Sequence, residues 1–142
     1  MNESTLKTTQ VRVLRDVAKA SEFTFIRHED KFISGVPDLS VTGCGWTSWW
    51  EFKYANPTFD STGAQDLMLA KLAMTGTAFY VIYSHVNGEQ TTAVTTPRAY
   101  REMKAKKMEM SSVNTLMFAR GPFDYKGVAQ FILKVHRNGH RK

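Results

Sequence analysis

Cysteine is nearly missing. Cys44 is the one thiol in 142 residues, which excludes an intrachain disulfide and a cysteine-based zinc cluster. No apolar run approaches the roughly 18 residues that would span a bilayer, and no charged-then-apolar leader opens the chain. Internal repeats, low-complexity tracts and Pro/Gly/Ser-rich linkers are also lacking. There is no Gly-x-Gly-x-x-Gly or Walker loop, which argues against nucleotide-driven work. These absences lead to the expectation of one soluble, cytoplasmic domain over residues 1–142, with no membrane partner.

What is present suits a packed core. Hydrophobic residues make up 42% of the chain, with nine Phe, five Tyr and three Trp, and charged residues 23%. The net charge of +6 is unevenly placed. Residues 1–97 carry eight Lys/Arg against ten Asp/Glu, a net of −2, and residues 98–142 carry eleven against three, a net of +8. A basic C-terminal third is compatible with a polyanion such as nucleic acid, whose counterions Lys104, Lys106, Lys107, Arg137, Arg141 and Lys142 would displace. It is equally compatible with a solvated basic surface.

Periodicity predicts a first helix over residues 6–20. Leu6, Gln10, Val13, Leu14 and Val17 share one face, Glu3 continues it one turn earlier, and Lys7, Arg15 and Lys19 lie largely outside it. Strands are expected over 23–28, 37–42 and 48–54, with Thr42-Gly43-Cys44-Gly45 as the turn between the last two. A helix over 61–75 follows, with Thr62 as N-cap and Gly76 as stop. Strands over 78–84 and 91–95 flank an Asn87-Gly88 turn. A basic helix over 98–110 begins at Pro97, and a short strand over 116–119 and a last helix over 125–136 complete the chain. This order predicts an α/β (α+β) domain, a central mixed β-sheet flanked by helices.

The chemistry concentrates in Gly35-Val36-Pro37-Asp38-Leu39 and Trp50-Glu51-Phe52-Lys53. Side chains alternate along a strand, so Glu51 and Lys53 share a face, opposite Trp50, Phe52 and Tyr54. Asp38 and Glu51 are equidistant from the Cys44–Gly45 bond, so a hairpin turning there makes them cross-strand neighbours. Two adjacent carboxylates repel, and a hard divalent cation such as Mg²⁺ or Mn²⁺ between them removes the conflict. With Lys53 beside them, the set suffices for metal-assisted phosphodiester hydrolysis. The same repulsion predicts that removing either carboxylate raises the melting temperature in metal-free buffer. The alternative is an ordinary hairpin in which Glu51 and Lys53 form a weak surface ion pair.

Pro37-Asp38 followed after a turn by Glu51-Phe52-Lys53 resembles the PD-(D/E)XK nuclease signature. Gly35-Val36-Pro37-Asp38-Leu39, a downstream helix carrying Gln65 and the apolar strand after it resemble the VRR-NUC branch and archaeal-type Holliday junction resolvases. The resemblance covers roughly residues 3–84 and does not extend over the C-terminal third. It implies a restriction-endonuclease-like fold. It also implies Asp38, Glu51 and the Phe52 backbone carbonyl as ligands of Mg²⁺ or Mn²⁺, Lys53 as catalytic lysine, and an acidic residue on the first helix. Glu3 matches that residue by position and face, with Gln10 one helical period inward as the other candidate. Gln65 matches a glutamine lining the site, although Thr62-x-x-Gln65 is also a capping box, and both readings stand.

The activity implied is a metal-dependent DNA endonuclease, structure-selective on branched DNA in the manner of small phage resolvases, which act as homodimers because two symmetric strands are cut. A phage enzyme would work in the host cytoplasm. A flap- or end-directed nuclease, a restriction-like enzyme and a non-catalytic nucleic-acid-binding module on branched or duplex DNA are the alternatives. Elsewhere, His28-Glu29-Asp30-Lys31 reads as a charged loop, His136 and His140 as part of a mobile phosphate-seeking tail, and Met103, Met108 and Met110 as packing residues.

Overall fold

The computed structural model describes residues 2–18, 22–28, 36–55, 71, 76–106 and 108–139. Its elements run α1 (Glu3–Val17), β1 (Phe23–Arg27), β2 (Leu39–Gly43), β3 (Trp46–Ala55), β4 (Ala78–Val86), β5 (Glu89–Thr95), α2 (Pro97–Lys106), β6 (Met117–Arg120) and α3 (Tyr125–Gly139). The fold is mixed α+β, with a six-stranded mixed sheet flanked by helices. No helix among the described residues is long and apolar enough to cross a membrane.

The first helix begins one turn earlier than periodicity predicts, because Asn2 caps it. The Asn2 side chain accepts the Thr5 N–H at 2.9 Å, satisfying a donor that the first helical turn leaves open. The helix stops at Val17, where Ala18 turns extended.

The six strands lie in the sheet in chain order, and all neighbours are antiparallel except β3 and β4. A parallel pair needs a crossover, and the stretch between β3 and β4 supplies it. The expected 61–75 helix falls there, outside the described residues apart from Lys71, which is helical.

Two hairpins are set by two-residue turns. Cys44 and Gly45 have φ of 54° and 88°, and Asn87 and Gly88 have 54° and 78°. Positive φ at both central residues is what a tight hairpin matching the strand twist requires. The first turn is therefore narrower than its four turn-like residues suggest, and Gly43 belongs to β2. A Cβ at Gly43 would collide with the Phe23 ring and the Glu22 carbonyl, which accounts for glycine at that strand position.

Both sheet faces are covered. Leu6, Val11 and Leu14 of α1 and Val128, Ala129, Ile132 and Leu133 of α3 pack with Leu39, Val41, Trp50, Phe52, Val81 and Tyr83 on one face. On the other, Tyr100 of α2 packs with Ala78, Tyr80 and Ile82, with Trp49 and Met110 alongside. Met103 is buried as a packing residue, whereas Met108 is exposed. The basic third is consequently divided. Lys104 and Lys106 ride on α2 over one face, while Arg137 on α3 lies at the other, 3.8 Å from Glu22 and over the Phe23 ring. Lys107, Arg141 and Lys142 lie outside the described residues.

The expectation of a mobile tail at His136 is overturned. His136 is fully buried on α3, with Nδ1 3.0 Å from the Gly43 carbonyl and Nε2 2.6 Å from Ser48 Oγ. Trp50 donates its indole N–H to the same Ser48 oxygen at 2.6 Å, and Trp46 stacks on the imidazole at 4.3 Å between centroids. The neutral ring with Nδ1–H donating to Gly43 and Nε2 accepting from Ser48 satisfies every group in this chain. Sequence periodicity placed the last helix's end at His136, but the helix continues to Gly139 and carries the ring inward. His140 lies outside the described residues.

Burial pushes the His136 pKa below the ordinary 6.5, with the Gly43 hydrogen bond a smaller opposing influence. The unfolded chain then takes up a proton at a pH where the native protein does not. Stability from this group is present above 6.5 and is lost as pH falls from there toward the depressed native value. Thermal melts from about pH 8 to about pH 5 should show wild type losing stability below that point more steeply than His136→Gln, whose melting temperature is lower throughout. Parallel profiles for the two proteins would contradict this.

Candidate active site on β2 and β3

The β2–β3 register pairs Leu39 with Trp50, Val41 with Ser48 and Gly43 with Trp46. The ladder ends at the Leu39–Trp50 pair, and Asp38 and Glu51 are the next residues along the two segments. At this point β2 gives way to the incoming chain. Asp38 continues the ladder with its side chain, since Oδ2 accepts the Phe52 N–H at 2.9 Å. Its own carbonyl accepts the His28 N–H at 2.8 Å.

A strand residue directs its N–H and C=O to the same side. The Phe52 carbonyl thus faces the same edge of β3 as the N–H that Asp38 holds. Two residues on, the Tyr54 N–H faces this edge too and donates to Glu3 Oε2 at 3.4 Å. Glu3 and Asp38 therefore lie along one stretch of β3 backbone. The Asn2 cap keeps Glu3 within the helix rather than on a frayed end.

Glu51 and Lys53 lie on the α2 side of the sheet, Glu51 beside Tyr80 in the parallel register and Lys53 beside Ile82. They are 1% and 4% exposed, and Lys53 Nζ is 3.4 Å from Glu51 Oε2. This is no weak surface pair, since both charges are withdrawn from water, where neutralisation by a facing charge is needed to hold them.

Gln10 takes no part. It is fully buried, donating through Nε2 to the Tyr125 carbonyl at 2.8 Å and accepting the Tyr83 hydroxyl at 2.5 Å, and so ties α1 to α3 and β4. Burial, with Tyr125 as a lesser cause, pushes the Tyr83 pKa well above its ordinary value, so the phenol remains a donor. Of the two first-helix candidates, Glu3 is the one brought to the β3 edge. Gln65 and Thr62 lie outside the described residues, as do Glu29, Asp30 and Lys31. His28 is turned to Ser40, Nε2 to Oγ 2.9 Å, with its ring against Trp49 at 5.5 Å.

One residue was missed by sequence reasoning. Lys7, placed outside the buried face of α1, reaches Asp38 with Nζ 3.2 Å from Oδ1. It sits four residues after Glu3, one helical turn along the same flank, and that spacing was the available signal. A long aliphatic stem lets a lysine at the margin of a buried stripe carry its ammonium to a carboxylate beside it.

Comparison with family models, curated proteins and solved structures gives no match. The chemistry of the site must be read from its own residues. Among the described residues no three His, Cys, Asp or Glu side chains gather as a metal cluster. The oxygen donors along this stretch of β3 are the Asp38 carboxylate and the Phe52 carbonyl on its β2 edge, Glu3 further along that edge, and the Glu51 carboxylate, which with Lys53 lies on the α2 side. All are hard oxygens, the set that suits Mg²⁺ or Mn²⁺ and not zinc held by sulfur and imidazole. Lys7 and Lys53 oppose the carboxylates' charge, and such an arrangement can accept a divalent ion or remain ion-paired.

Proposed function

We propose that this protein is a metal-dependent nuclease with a restriction-endonuclease-like fold, hydrolysing phosphodiester bonds in branched DNA as a homodimer. The observation that carries the reading is the placement of Asp38 by the Phe52 N–H, one register step from a Glu51 that is itself buried against Lys53. Phosphodiester hydrolysis assisted by a divalent ion uses carboxylates at neighbouring strand positions, and Asp38 and Glu51 are of that kind.

Asp38, Glu51 and the Phe52 carbonyl would hold Mg²⁺ or Mn²⁺, which when bound polarises a phosphate and lowers the pKa of water. The chain's own residues do the rest. The Phe52 N–H fixes one oxygen of the Asp38 carboxylate at the β3 edge, and the other faces the Lys7 ammonium. Lys53, held by Glu51, presents a positive charge where negative charge develops on the phosphate, and it does so without reorganising. Glu3 would bound the site on the α1 side, while Gln65, which the resemblance implies as a lining residue, lies outside the described residues.

The test is a panel of linear, flapped, nicked and four-way DNA substrates incubated with Mg²⁺, Mn²⁺ or chelator. Metal-dependent cutting that favours the four-way junction supports the full reading. A preference for flaps, ends or a linear sequence would retain the nuclease and replace the substrate. The two lysine–carboxylate pairs favour a second reading, a binding module whose carboxylates are permanently neutralised. Binding that ignores metal, with no cleavage of any substrate, would establish that reading.

A further inference from the structure

The two lysines at the site differ in one respect that matters. Lys53 is 4% exposed and extends from the same strand as Glu51, enclosed between the sheet and its covering layer. Lys7 is 23% exposed, against 6% for its partner Asp38. Its backbone is pinned, because Leu6 and Gln10 on either side of it are fully buried and Asn2 caps the helix. Only the side chain can move, and its open side is solvent.

The two oxygens of Asp38 also differ. Oδ2 accepts the Phe52 N–H at 2.9 Å, a donor fixed in the strand. Oδ1 is 3.2 Å from the Lys7 ammonium. Each carboxylate oxygen has two lone-pair sites, but the strand N–H cannot leave Oδ2, whereas the group facing Oδ1 is an ammonium on a mobile side chain, so a divalent ion reaching Oδ1 competes with Lys7 there. Two cations on one carboxylate oxygen repel, and the ammonium is the one with a route to water.

We propose that Lys7 is a resident counter-ion for Asp38 that a divalent cation displaces. In metal-free protein its ammonium neutralises the carboxylate and keeps the strand end folded. When the ion arrives, Lys7 swings to solvent, so the affinity for metal is set partly by this lysine. The inference rests on the reading that Asp38 and Glu51 hold the ion.

The experiment uses Mn²⁺ alone as probe, without DNA, on wild type and Lys7→Met, which keeps an unbranched apolar stem. Free Mn²⁺ is read from its solution EPR signal, and lysine accessibility from mass spectrometry after brief acetylation. Lys7→Met should bind Mn²⁺ roughly tenfold more tightly than wild type, the size of effect a removed neighbouring charge has at a carboxylate. In wild type, saturating Mn²⁺ should raise Lys7 acetylation several-fold and leave Lys134, exposed on α3, unchanged. A purely structural lysine would lower the variant's melting temperature and leave Mn²⁺ affinity and labelling alone, which overturns the proposal. Tighter binding by the variant with no rise in Lys7 labelling would also overturn it, since Lys7 would then repel the ion without leaving. If neither protein binds Mn²⁺, the metal-centre reading itself falls.

Discussion

Replacing Lys53 by alanine should lower the single-turnover cleavage rate by about a hundredfold or more while DNA affinity stays nearly unchanged. The burial of this lysine sharpens the expectation. At 4% exposure and paired with Glu51, its charge is already opposed in the resting protein, so it contributes little to ground-state binding. Its charge matters when the phosphate becomes more negative in the transition state, and a group that acts there alone moves rate and not affinity. Lys53→Arg should rescue poorly, because a planar guanidinium is bulkier than the ammonium it replaces beside Glu51 and does not deprotonate. The measurement is cleavage with enzyme in excess at saturating Mg²⁺, beside a binding titration in Ca²⁺. A steady rate with reduced affinity would make Lys53 a phosphate anchor and remove it from the mechanism.

Glu51→Gln should lower cleavage by roughly a thousandfold, since it takes away one of the two charged oxygen donors as well as the group that holds Lys53. Its effect on stability has the opposite sign to the one expected from repulsion between carboxylates. Each carboxylate already faces a lysine, Asp38 with Lys7 and Glu51 with Lys53. Little repulsion is left to relieve, and the glutamine leaves a buried ammonium without the charge that opposed it. Breaking such a pair from one side costs about 3 kcal/mol or more. The variant should therefore melt lower than wild type in metal-free buffer, and Asp38→Asn, whose lysine is partly solvated, should fall less. A rise in melting temperature for Glu51→Gln would show that the carboxylates, not the ion pairs, dominate the electrostatics. Full activity in that variant would end the assignment of Glu51.

The sequence by itself determined whatever depends on spacing along one element or across one tight turn. Cys44-Gly45 admits the positive φ values of a two-residue hairpin, and that sets the β2–β3 register, whose end pair, Leu39 with Trp50, adjoins Asp38 and Glu51. Alternation along β3 puts Glu51 and Lys53 on one face, and Asn87-Gly88 sets the next hairpin in the same way. Positions of the described helices and strands were legible for the same reason, but ends moved: Asn2 starts α1 earlier, and the basic helix expected to run to Met110 stops at Lys106. Tertiary structure decided which side chains meet over long separations. Lys7 reaches Asp38 from another element, Gln10 leaves the site for Tyr83 and Tyr125, and His136 enters the core beside Ser48 instead of joining a basic tail. Periodicity reports which way a side chain leaves its own helix or strand. It carries nothing about the angle at which α1 and α3 cross the sheet, and that angle determines whether a marginal lysine faces water or a carboxylate.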